Sequence, residues 1–507
     1  MKYKIKPVKK NCLLITIDAL RLDHLSITGY KKKTTPFIDK IADKGYFFPN
    51  TIVNGPCTPP SFSSIFTSTY PFHQGGYLPI PYNKTTLAEV LQANGYITVA
   101  IHSTPLLSRF YRYDRGFDFF YDGMFSKDDS SFKTSLFNRF LNKGDFLNDF
   151  MNWAQSVPIP KKILYYFQVA FYTKIVGRKK YYDKAKKLLK MAYKWIKKYK
   201  QKNEKKPFFL WIHLMEPHDP YFPYNKYLKK VKADKLTPRE IQYIREHPEY
   251  LEILREYKQT PKILNLYDAE LRYLNAMLRK FFRKLKYRRR EILKNTLTII
   301  TSDHGEEFND HGMYGHNAQL YDELLKVPLI IVTNPLKKIK KDKIKRKTKR
   351  KFLTNLINIR DLAPTILDLL GLPQESNFEG KSFANLIFSD EEYFDDPIEN
   401  GVFSESYHKN KITRFSNHGD PRIMRIISYR TMKWKYIIDE ETKKEELYDL
   451  EKDPKEKINL KKKFPKLIRK FRRKVINHIK ELDRTNFADI SEKKKILSAI
   501  KEIKIDI

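Results

Sequence analysis

The chain of 507 residues contains 99 Lys and Arg against 59 Asp and Glu, which gives a formal net charge of +40. Its two cysteines exclude a disulfide framework, and no apolar run reaches the roughly 18 residues that a membrane span requires. The length predicts one large domain over residues 1–395 and a smaller C-terminal part over residues 396–507.

The first predicted strand is the apolar run of residues 12–17, which ends at Asp18. In open α/β sheets, ligands bind at the carboxyl ends of the central strands. A carboxylate in this position is therefore a candidate member of an active site.

A cluster of small hydroxyl residues and prolines follows, NGPCTPPSFSSIFTSTYP from residue 54, with a predicted helix that starts near Pro60. Groups at a helix N-terminus experience the positive end of the helix dipole and its free amide groups. A hydroxyl or thiol there, such as Thr58 or Cys57, is well placed to be an anionic nucleophile that faces an anionic substrate.

The middle of the chain contains a predicted strand over residues 97–101 and a basic aromatic segment over residues 159–200. Leu164, Phe167 and Phe171 recur at nearly helical spacing, which predicts a helical insertion. Basic amphipathic helices rich in aromatic residues lie at anionic membrane surfaces, but they also occur as packed helices whose lysines extend outward. Both interpretations stay open at this point.

Two further predicted strands, residues 207–212 and 296–302, are followed by histidines and carboxylates. The second strand leads into TSDHGEEFNDHGMYGH, in which Asp303 and His304 leave a rigid buried strand together. Carboxylate and imidazole groups held in this way favour a metal ion, and Gly305 lets the backbone turn sharply behind them. An exposed loop decorated with acidic residues and histidines is the alternative.

A strand over residues 327–332 completes the predicted main sheet. Short apolar strands that alternate with helical stretches predict an α/β fold with a mostly parallel sheet covered by helices on both faces. After residue 396, the segments FSES, IMRIISYR and WKYIID predict a small antiparallel sheet, followed by Lys-rich helices. The basic run over residues 336–351 is expected to form an exposed loop or linker.

In this order, the segments resemble the sulfatase branch of the alkaline phosphatase superfamily, and the resemblance extends from residue 12 to residue 460. Its motifs include TTPFIDKIADKGYFFPNT before the nucleophile, TLAEVLQANGY and RGFDFF after it, and WIHLMEPHDPY in mid-chain. GHNAQLYDELLKVPLII, RDLAPTILDLLGLP, and MKWKYII with ELYDLEKDPKEKINL complete the pattern. The resemblance implies an alkaline-phosphatase-like fold and an ester hydrolase or transferase.

The chain departs from the sulfatase pattern in several places. Sulfatases carry C-x-P-x-R, whose cysteine is converted to formylglycine, and a second Asp directly after the first, where this chain has alanine. Counting back from Thr67-Ser68, which resembles the family's Thr-Gly, puts the nucleophile at Thr58. A start at Cys57 would put Ser61 where the arginine belongs, and IHSTPLL replaces the Lys-Trp-His signature. Formylglycine is therefore not expected.

The resemblance implies a metal site with Asp18, Asp303 and His304 as protein ligands, completed by Thr58. A threonine hydroxyl is a poor nucleophile at neutral pH, but coordination to a divalent metal lowers its pKa and screens its approach to a phosphate. The nitrogen ligand favours zinc or manganese over calcium or magnesium.

The resemblance also implies that His213 and His218 contact the ester oxygens or protonate the leaving group, which suits side chains that titrate near neutrality. A core histidine with satisfied hydrogen bonds is the alternative for His213. His311 and His316 are candidates for substrate contact or for a second metal site, with ordinary loop residues as the alternative.

A threonine nucleophile is what the phosphodiesterases and phosphotransferases of the superfamily use. The sequence therefore predicts a metal-dependent hydrolase or transferase that cleaves phosphate esters, or sulfate esters, through a covalent Thr58 intermediate. One alternative is a true sulfatase with Cys57 as formylglycine precursor. The other is a catalytically degenerate protein that binds anionic membranes or polymers, against which the intact Asp18, Asp303 and His304 argue.

The charge of +40 suggests nucleic acid as the first partner, with a solvated lysine surface as the alternative. The predicted activity implies an anionic ester substrate. No zinc-finger, RNA-recognition or helix-turn-helix signature occurs, so specific nucleic-acid binding is not expected. The first strand follows the N-terminus without an apolar signal segment, which predicts a cytoplasmic protein. Peripheral contact with an anionic membrane through residues 159–200 is a further hypothesis.

Overall fold

The computed structural model describes residues 10–74, 79–123, 183–202, 204–233, 236–237, 240, 250–333, 352–388, 400–407 and 425–488. These residues form a central sheet of eight strands flanked by helices, a C-terminal sheet of four strands and a ribbon of two strands. The architecture confirms the predicted α/β fold, with its mostly parallel sheet between helices and its small C-terminal antiparallel sheet.

The strands in chain order are β1 (Asn11–Ile17), β2 (Tyr46–Ile52), β3 (Ile97–Ile101), β4 (Phe119–Tyr121), β5 (Phe208–Leu214), β6 (Thr296–Ser302), β7 (Glu307–Phe308), β8 (Tyr314–Gly315), β9 (Lys326–Val332), β10 (Ile357–Asn358), β11 (Val402–Tyr407), β12 (Arg425–Arg430), β13 (Trp434–Asp439) and β14 (Glu445–Asp449). The five strands predicted for the central sheet are all present, with bounds that differ from the prediction by at most two residues.

The α-helices in chain order are α1 (Pro36–Ala42), α2 (Thr58–Thr67), α3 (Leu87–Ala93), α4 (Ala185–Gln201), α5 (Asn225–Lys230), α6 (Tyr250–Glu256), α7 (Thr260–Arg288), α8 (Arg290–Lys294), α9 (Asp322–Leu325), α10 (Leu362–Leu370), α11 (Asn385–Phe388) and α12 (Pro465–Ala488). No helix within the described ranges is both long and apolar enough to cross a bilayer.

The central sheet has the strand order β10-β2-β9-β6-β1-β5-β3-β4. Strand β9 runs antiparallel to both of its neighbours, and the remaining neighbouring pairs are parallel. Ile17 at the end of β1 pairs with Leu214 of β5 on one side and with Ser302 of β6 on the other. Because these three strands end at the same edge, the residues that follow them are brought together there.

The apolar residues of β1 show why the sheet is covered on both faces. Leu13, Ile15 and Ile17 belong to a buried cluster that includes side chains of α1, α4 and α7. Cys12 and Leu14 point to the opposite face and belong to a second cluster, which includes side chains of α2, α3 and α10. A strand that is buried on both faces has a continuous run of apolar residues, and this run was the basis for predicting β1.

Helix α4 is the described part of the predicted basic insertion. Its apolar side chains Leu188, Leu189, Ala192 and Ile196 are buried in the cluster on one face of the sheet, and most of its lysines are exposed. The packed-helix interpretation therefore applies to α4. The rest of the predicted insertion, up to residue 182, and the predicted linker over residues 336–351 lie outside the described residues.

The C-terminal sheet has the order β11-β12-β13-β14 and packs against α12, and the predicted domain boundary at residue 395 lies outside the described residues. Strand β11 touches the segment that leads to Thr58. The hydroxyl of Ser404 donates to the carbonyl oxygen of Val53 at 2.7 Å, and the N–H of Glu405 donates to the carbonyl oxygen of Asn54 at 2.8 Å. The C-terminal part thus helps to hold the segment that carries the predicted nucleophile.

A buried ion cluster joins the two parts a second time. The ammonium group of Lys435 in β13 is fully buried, 2.9 Å from a carboxylate oxygen of Asp322 and 2.8 Å from one of Glu456. Arg430 contacts the same Asp322 at 3.2 Å. Since a buried charge is tolerated only when it is paired, these contacts hold α9 in a defined position relative to the C-terminal sheet.

Candidate active site

Asp18, Asp303 and His304 meet at the carboxyl edge of the central sheet, and all three are fully buried. Their candidate ligand atoms lie within 4.8 Å of one another. Nε2 of His304 is 3.4 Å from Oδ1 of Asp18 and 3.5 Å from Oδ2 of Asp303. Those two carboxylate oxygens have no hydrogen-bond partner among the described residues. Because leaving such atoms buried and unpaired costs free energy, the donor set fits a metal cation.

His304 presents the correct nitrogen atom to this group. Its Nδ1 lies 2.7 Å from the carbonyl oxygen of Gly305. A carbonyl oxygen can only accept, so Nδ1 carries the hydrogen atom and Nε2 of the neutral ring exposes its lone pair. Burial lowers the pKa of His304, which favours this neutral form. The imidazole is therefore oriented as a metal ligand usually is.

The two carboxyl groups have opposite pKa shifts. Burial and the charge of Asp18 raise the pKa of Asp303. Burial also acts to raise the pKa of Asp18, but the imidazoles of His218, His213 and His304 outweigh it and lower that pKa. A bound divalent cation favours the ionised form of both carboxyl groups, as ligands require.

Thr58 lies beside this group because it is the first residue of α2. Its Oγ1 is 3.2 Å from Nε2 of His304, and only 3 % of the residue is exposed. Cys57 precedes it as the N-cap and is half-buried. Ser61, which would occupy the arginine position if Cys57 began the motif, donates its hydroxyl to the backbone carbonyl of Asp303. The helix N-terminus thus directs a threonine hydroxyl at the candidate metal ligands.

His213 is located behind Asp18 in a chain of hydrogen bonds between β1 and β5. The indole N–H of Trp211 donates to Oγ1 of Thr16 at 3.0 Å, and that hydroxyl lies 3.0 Å from Nδ1 of His213. Nε2 of His213 is 3.2 Å from Oδ2 of Asp18. The ring is fully buried with both nitrogens engaged, which matches the core-histidine alternative. The ring holds Asp18 in position in this arrangement, and the direct catalytic role of His213 stays a prediction.

His218 lies at the mouth of the site, with 22 % of its side chain exposed. Its Nδ1 is 2.5 Å from the carbonyl oxygen of Asp219 and 3.1 Å from Oδ1 of the same residue. Burial lowers the pKa of His218, but the carboxylates of Asp18, Asp219 and Glu306 outweigh burial and raise it to about 9. A protonated ring can donate to a leaving oxygen, and this acid role stays a prediction for His218.

His316 lies in the same group, and its predicted contact with substrate stays a prediction. The centre of its ring is 4.5 Å from that of His304 and 4.9 Å from that of His218. Its Nδ1 is 3.1 Å from a carboxylate oxygen of Glu306, and 21 % of its side chain is exposed. Glu306, His316 and His218 therefore form one wall of the site.

The sequence did not predict two residues of the site, Glu306 and Arg255. Glu306 was noted only as one of several carboxylates after β6, and nothing marked it as the partner of His316. Arg255 of α6 donates to a carboxylate oxygen of Asp219 at 2.6 Å and thereby holds the partner of His218. It occurs between Glu252 and Glu256 in a stretch of mixed charge, so no local signal identified it.

His311 occupies a second group with Glu307 and Glu323, whose candidate ligand atoms also lie within 4.8 Å of one another. Its Nδ1 is 2.5 Å from Oε1 of Glu323, and its Nε2 is 3.1 Å from the carbonyl oxygen of Glu456. Both ring nitrogens are engaged by protein in this arrangement, and the substrate contact of His311 stays a prediction. The second-metal alternative for this residue stays a prediction.

The loop that carries His218 contains a buried carboxyl pair that makes stability depend on pH. Burial and the neighbouring Glu270 raise the pKa of Glu216 from 4.5 to about 8. The unfolded chain releases this proton above pH 4.5 while the folded chain keeps it, so the free energy of unfolding falls as pH rises toward 8. One such group contributes a slope of at most about 1.4 kcal/mol per pH unit.

We expect Glu216→Gln to remove this dependence of the unfolding free energy on pH, because glutamine has no proton to release. Glutamine also keeps an oxygen that can accept the N–H of Ala185, as Glu216 does at 3.0 Å. The melting temperature of the variant should exceed that of the wild type at pH 8 and converge with it near pH 4.5. Glu291→Gln on the exposed surface of α8 is the control and should follow the wild type. An unchanged slope in Glu216→Gln would contradict the assignment.

Buried candidate metal ligands at the carboxyl edge of a mostly parallel sheet, facing a hydroxyl at a helix N-terminus, are compatible with metal-dependent ester hydrolysis. The family model described as Sulfatase matches residues 10–372, well over half of the chain, and the chain belongs to the sulfatase family. A second model, described as N-sulphoglucosamine sulphohydrolase, C-terminal, matches residues 309–484.

Relatives of similar length support the same family. The chain is 24 % identical over 479 residues to a sulfatase of Formosa agariphila, covering 89 % of this chain and 83 % of that protein. It is 24 % identical over 468 residues to an arylsulfatase of Clostridium perfringens, covering 89 % of this chain and 90 % of that protein. The prediction of a sulfatase-family ester hydrolase is thereby confirmed.

Solved structures share the fold across nearly the whole chain. A phosphonate monoester hydrolase of Agrobacterium radiobacter aligns with a TM-score of 0.64 at 18 % identity, covering 93 % of this chain and 96 % of that one. A protein solved in complex with its substrate D-glucosamine-2-N,6-O-disulfate aligns with a TM-score of 0.62 at 17 % identity, covering 94 % of this chain and 98 % of that one. The two neighbours show that one fold accommodates both phosphonate and sulfate chemistry.

Proposed function

We propose that this sulfatase-family hydrolase cleaves phosphate esters through a covalent intermediate on Thr58. The observation that carries the proposal is the position of the Thr58 hydroxyl, buried at the N-terminus of α2 and 3.2 Å from Nε2 of His304. A nucleophile must lie beside the groups that activate it and stabilise the charge that develops on the substrate. Thr58 meets this requirement through a contact with His304, and the family's formylglycine is not required.

The proposed reaction has two displacements. The hydroxyl of Thr58 loses its proton to solvent, and its oxygen attacks phosphorus as the bond from phosphorus to the leaving oxygen breaks. His218 donates its proton to that leaving oxygen. Water, or an alcohol acceptor, then attacks phosphorus and gives its proton to His218 as the bond from phosphorus to Oγ1 of Thr58 breaks. Oγ1 takes a proton back from solvent, which regenerates Thr58 and releases the phosphate product or the transferred ester.

Asp18, Asp303 and His304 are the residues that would hold the divalent cation, and Thr58 would complete its ligands. Such a cation lowers the pKa of an adjacent hydroxyl and screens the approach of two anions. The imidazole nitrogen favours zinc or manganese over calcium or magnesium. His213 keeps Asp18 oriented toward this position through its contact of 3.2 Å.

Phosphate is preferred over sulfate in this proposal because sulfate-specific features of the family pattern are absent. The second aspartate, the arginine and the Lys-Trp-His signature are missing, and Ser61 instead contacts the backbone of Asp303. A phosphoryl group carries more negative charge at its oxygens, so a cationic site stabilises its transfer more strongly. Phosphodiesters and lipid-like phosphate esters are the expected substrates.

The relatives named sulfatase and arylsulfatase favour the second candidate, a sulfatase that uses Cys57. The test is an assay of the purified protein with aryl phosphodiester, phosphomonoester and sulfate substrates, repeated with zinc, manganese, calcium and magnesium. We expect the phosphodiester to be turned over fastest, with zinc or manganese. A sulfate-ester rate above every phosphate-ester rate would overturn the proposed substrate class and support the second candidate.

A further inference from the structure

A groove on the surface lies between the C-terminal halves of α4 and α7. It has a volume of about 600 Å³ and is lined by Tyr193, Lys197, Lys284, Tyr287, Arg288 and Arg289. Helix α4 ends shortly before β5 begins, and α7 ends shortly before α8 and β6. The groove therefore lies toward the amino-terminal edge of the sheet, away from the candidate active site at the carboxyl edge.

The charges of this groove are not balanced by acidic residues. Its lining contains four cations and no carboxylate, and none of the four forms an ion pair within the part of the chain that the structure describes. Nε of Arg289 is buried with no hydrogen-bond partner among those residues. Glu291, the next acidic residue along the chain, lies 4.0 Å from Lys294. The groove thus keeps a concentrated positive charge that the protein itself does not neutralise.

The lining also has the shape and donors that an oxyanion requires. Arginine presents several N–H groups in a fork that matches phosphate oxygens, and lysine adds a compact charge. The ammonium group of Lys284 lies 5.4 Å from the centre of the Tyr193 ring, and the ring of Tyr287 is 74 % exposed beside it. Two tyrosines therefore line the groove together with its four cations.

We propose that this groove binds a compact anion that carries several phosphate groups, separately from the active site. Its volume suits a small molecule, since ligand pockets commonly enclose about 300 to 1,000 Å³. The apolar face of α4 is already packed against the sheet, so the helix offers charge to a ligand and not an apolar face for insertion into lipid. The phosphates come either from a soluble molecule or from the head group of a lipid.

The experiment measures binding of tripolyphosphate to the full chain by titration calorimetry. Lys284→Glu with Arg288→Glu reverses two charges one helical turn apart on α7, outside the catalytic machinery. We expect this double variant to lose at least about tenfold in affinity, because charge-assisted contacts to phosphate oxygens are removed and repulsion is added. Ester hydrolysis by the variant should stay at the wild-type level.

Arg469→Glu with Arg473→Glu is the matched control, because it makes the same change in net charge at exposed positions with the same spacing on α12. The control should retain wild-type affinity for tripolyphosphate. An equal loss in both double variants, or no binding by the wild type, would overturn the proposal, since it would leave only diffuse attraction to a basic protein.

Sedimentation with vesicles of equal parts phosphatidylcholine and phosphatidylserine, with and without added phosphoinositide, distinguishes the sources of phosphate. Binding that needs the phosphoinositide and is lost in the α7 double variant places the phosphates on a lipid head group. Tripolyphosphate binding without vesicle binding identifies a soluble ligand. Vesicle binding that persists unchanged in the α7 double variant, with no tripolyphosphate bound, contradicts the groove as the site.

Discussion

Thr58→Ala is expected to lower kcat by about three orders of magnitude or more, because loss of a nucleophile removes the covalent path. Cys57→Ala is expected to retain substantial activity, since the thiol is only a neighbour of the site in the proposed mechanism. The structural reason is the difference between the two positions. Oγ1 of Thr58 faces Nε2 of His304 at 3.2 Å, whereas Cys57 is the N-cap that precedes the helix.

Thr58→Ser is the matched control, because it keeps a hydroxyl at the first position of α2 and should recover much of the activity that alanine removes. Steady-state rates on the best phosphate ester make the comparison, and unchanged thermal unfolding shows that each variant is folded. Mass spectrometry of the peptide that contains Cys57 should find an unmodified thiol. Formylglycine at Cys57, together with an active Thr58→Ala, would reverse the assignment of the nucleophile.

Asp303→Ala is expected to lose most of the bound metal and nearly all activity. Elemental analysis of the wild type should find at least one divalent ion per chain, because a histidine nitrogen lies beside two buried carboxylate oxygens that have no hydrogen-bond partner among the described residues. Removal of the ion by a chelator should also lower the melting temperature, since Asp18 and Asp303 then face each other without a cation between them.

Glu307→Gln is the matched control for the metal, because it changes a carboxylate in the other group of candidate ligands, with His311 and Glu323. The ion assigned to the active site should remain in this variant. Stoichiometric metal in Asp303→Ala, or its loss from Glu307→Gln alone, would show that the ion belongs to the second group.

Much of the central sheet could be predicted because strands that are buried on both faces consist of continuous apolar residues. Strands β3 and β6 have the predicted bounds, and the other three differ by one or two residues. Strand β14, Glu445–Asp449, was recognised only as part of a family motif and not as a strand. Its acidic residues do not favour a strand by themselves. Ion pairs compensate for the cost of burying their carboxylates, and Arg472, for example, contacts Glu445 at 2.7 Å.

The sequence by itself determined the chemical groups at the strand ends. Asp18, Asp303 and His304 follow apolar strands directly, and Thr58 follows from its distance to a recognisable pair of residues. These are local features of the chain, so they can be read without knowing which elements are neighbours. They were sufficient to predict the fold class, the ester hydrolase and the candidate metal ligands.

Only the tertiary structure decided what surrounds those groups. The contact of His213 with Thr16 joins residues 197 positions apart, and that of Arg255 with Asp219 joins residues 36 positions apart on different elements. Nothing in a local pattern specifies such pairs, because they arise from strand order and helix packing. Packing therefore put His213 against Asp18 and directed His311 toward Glu323. It also gathered the cations of α4 and α7 into one groove.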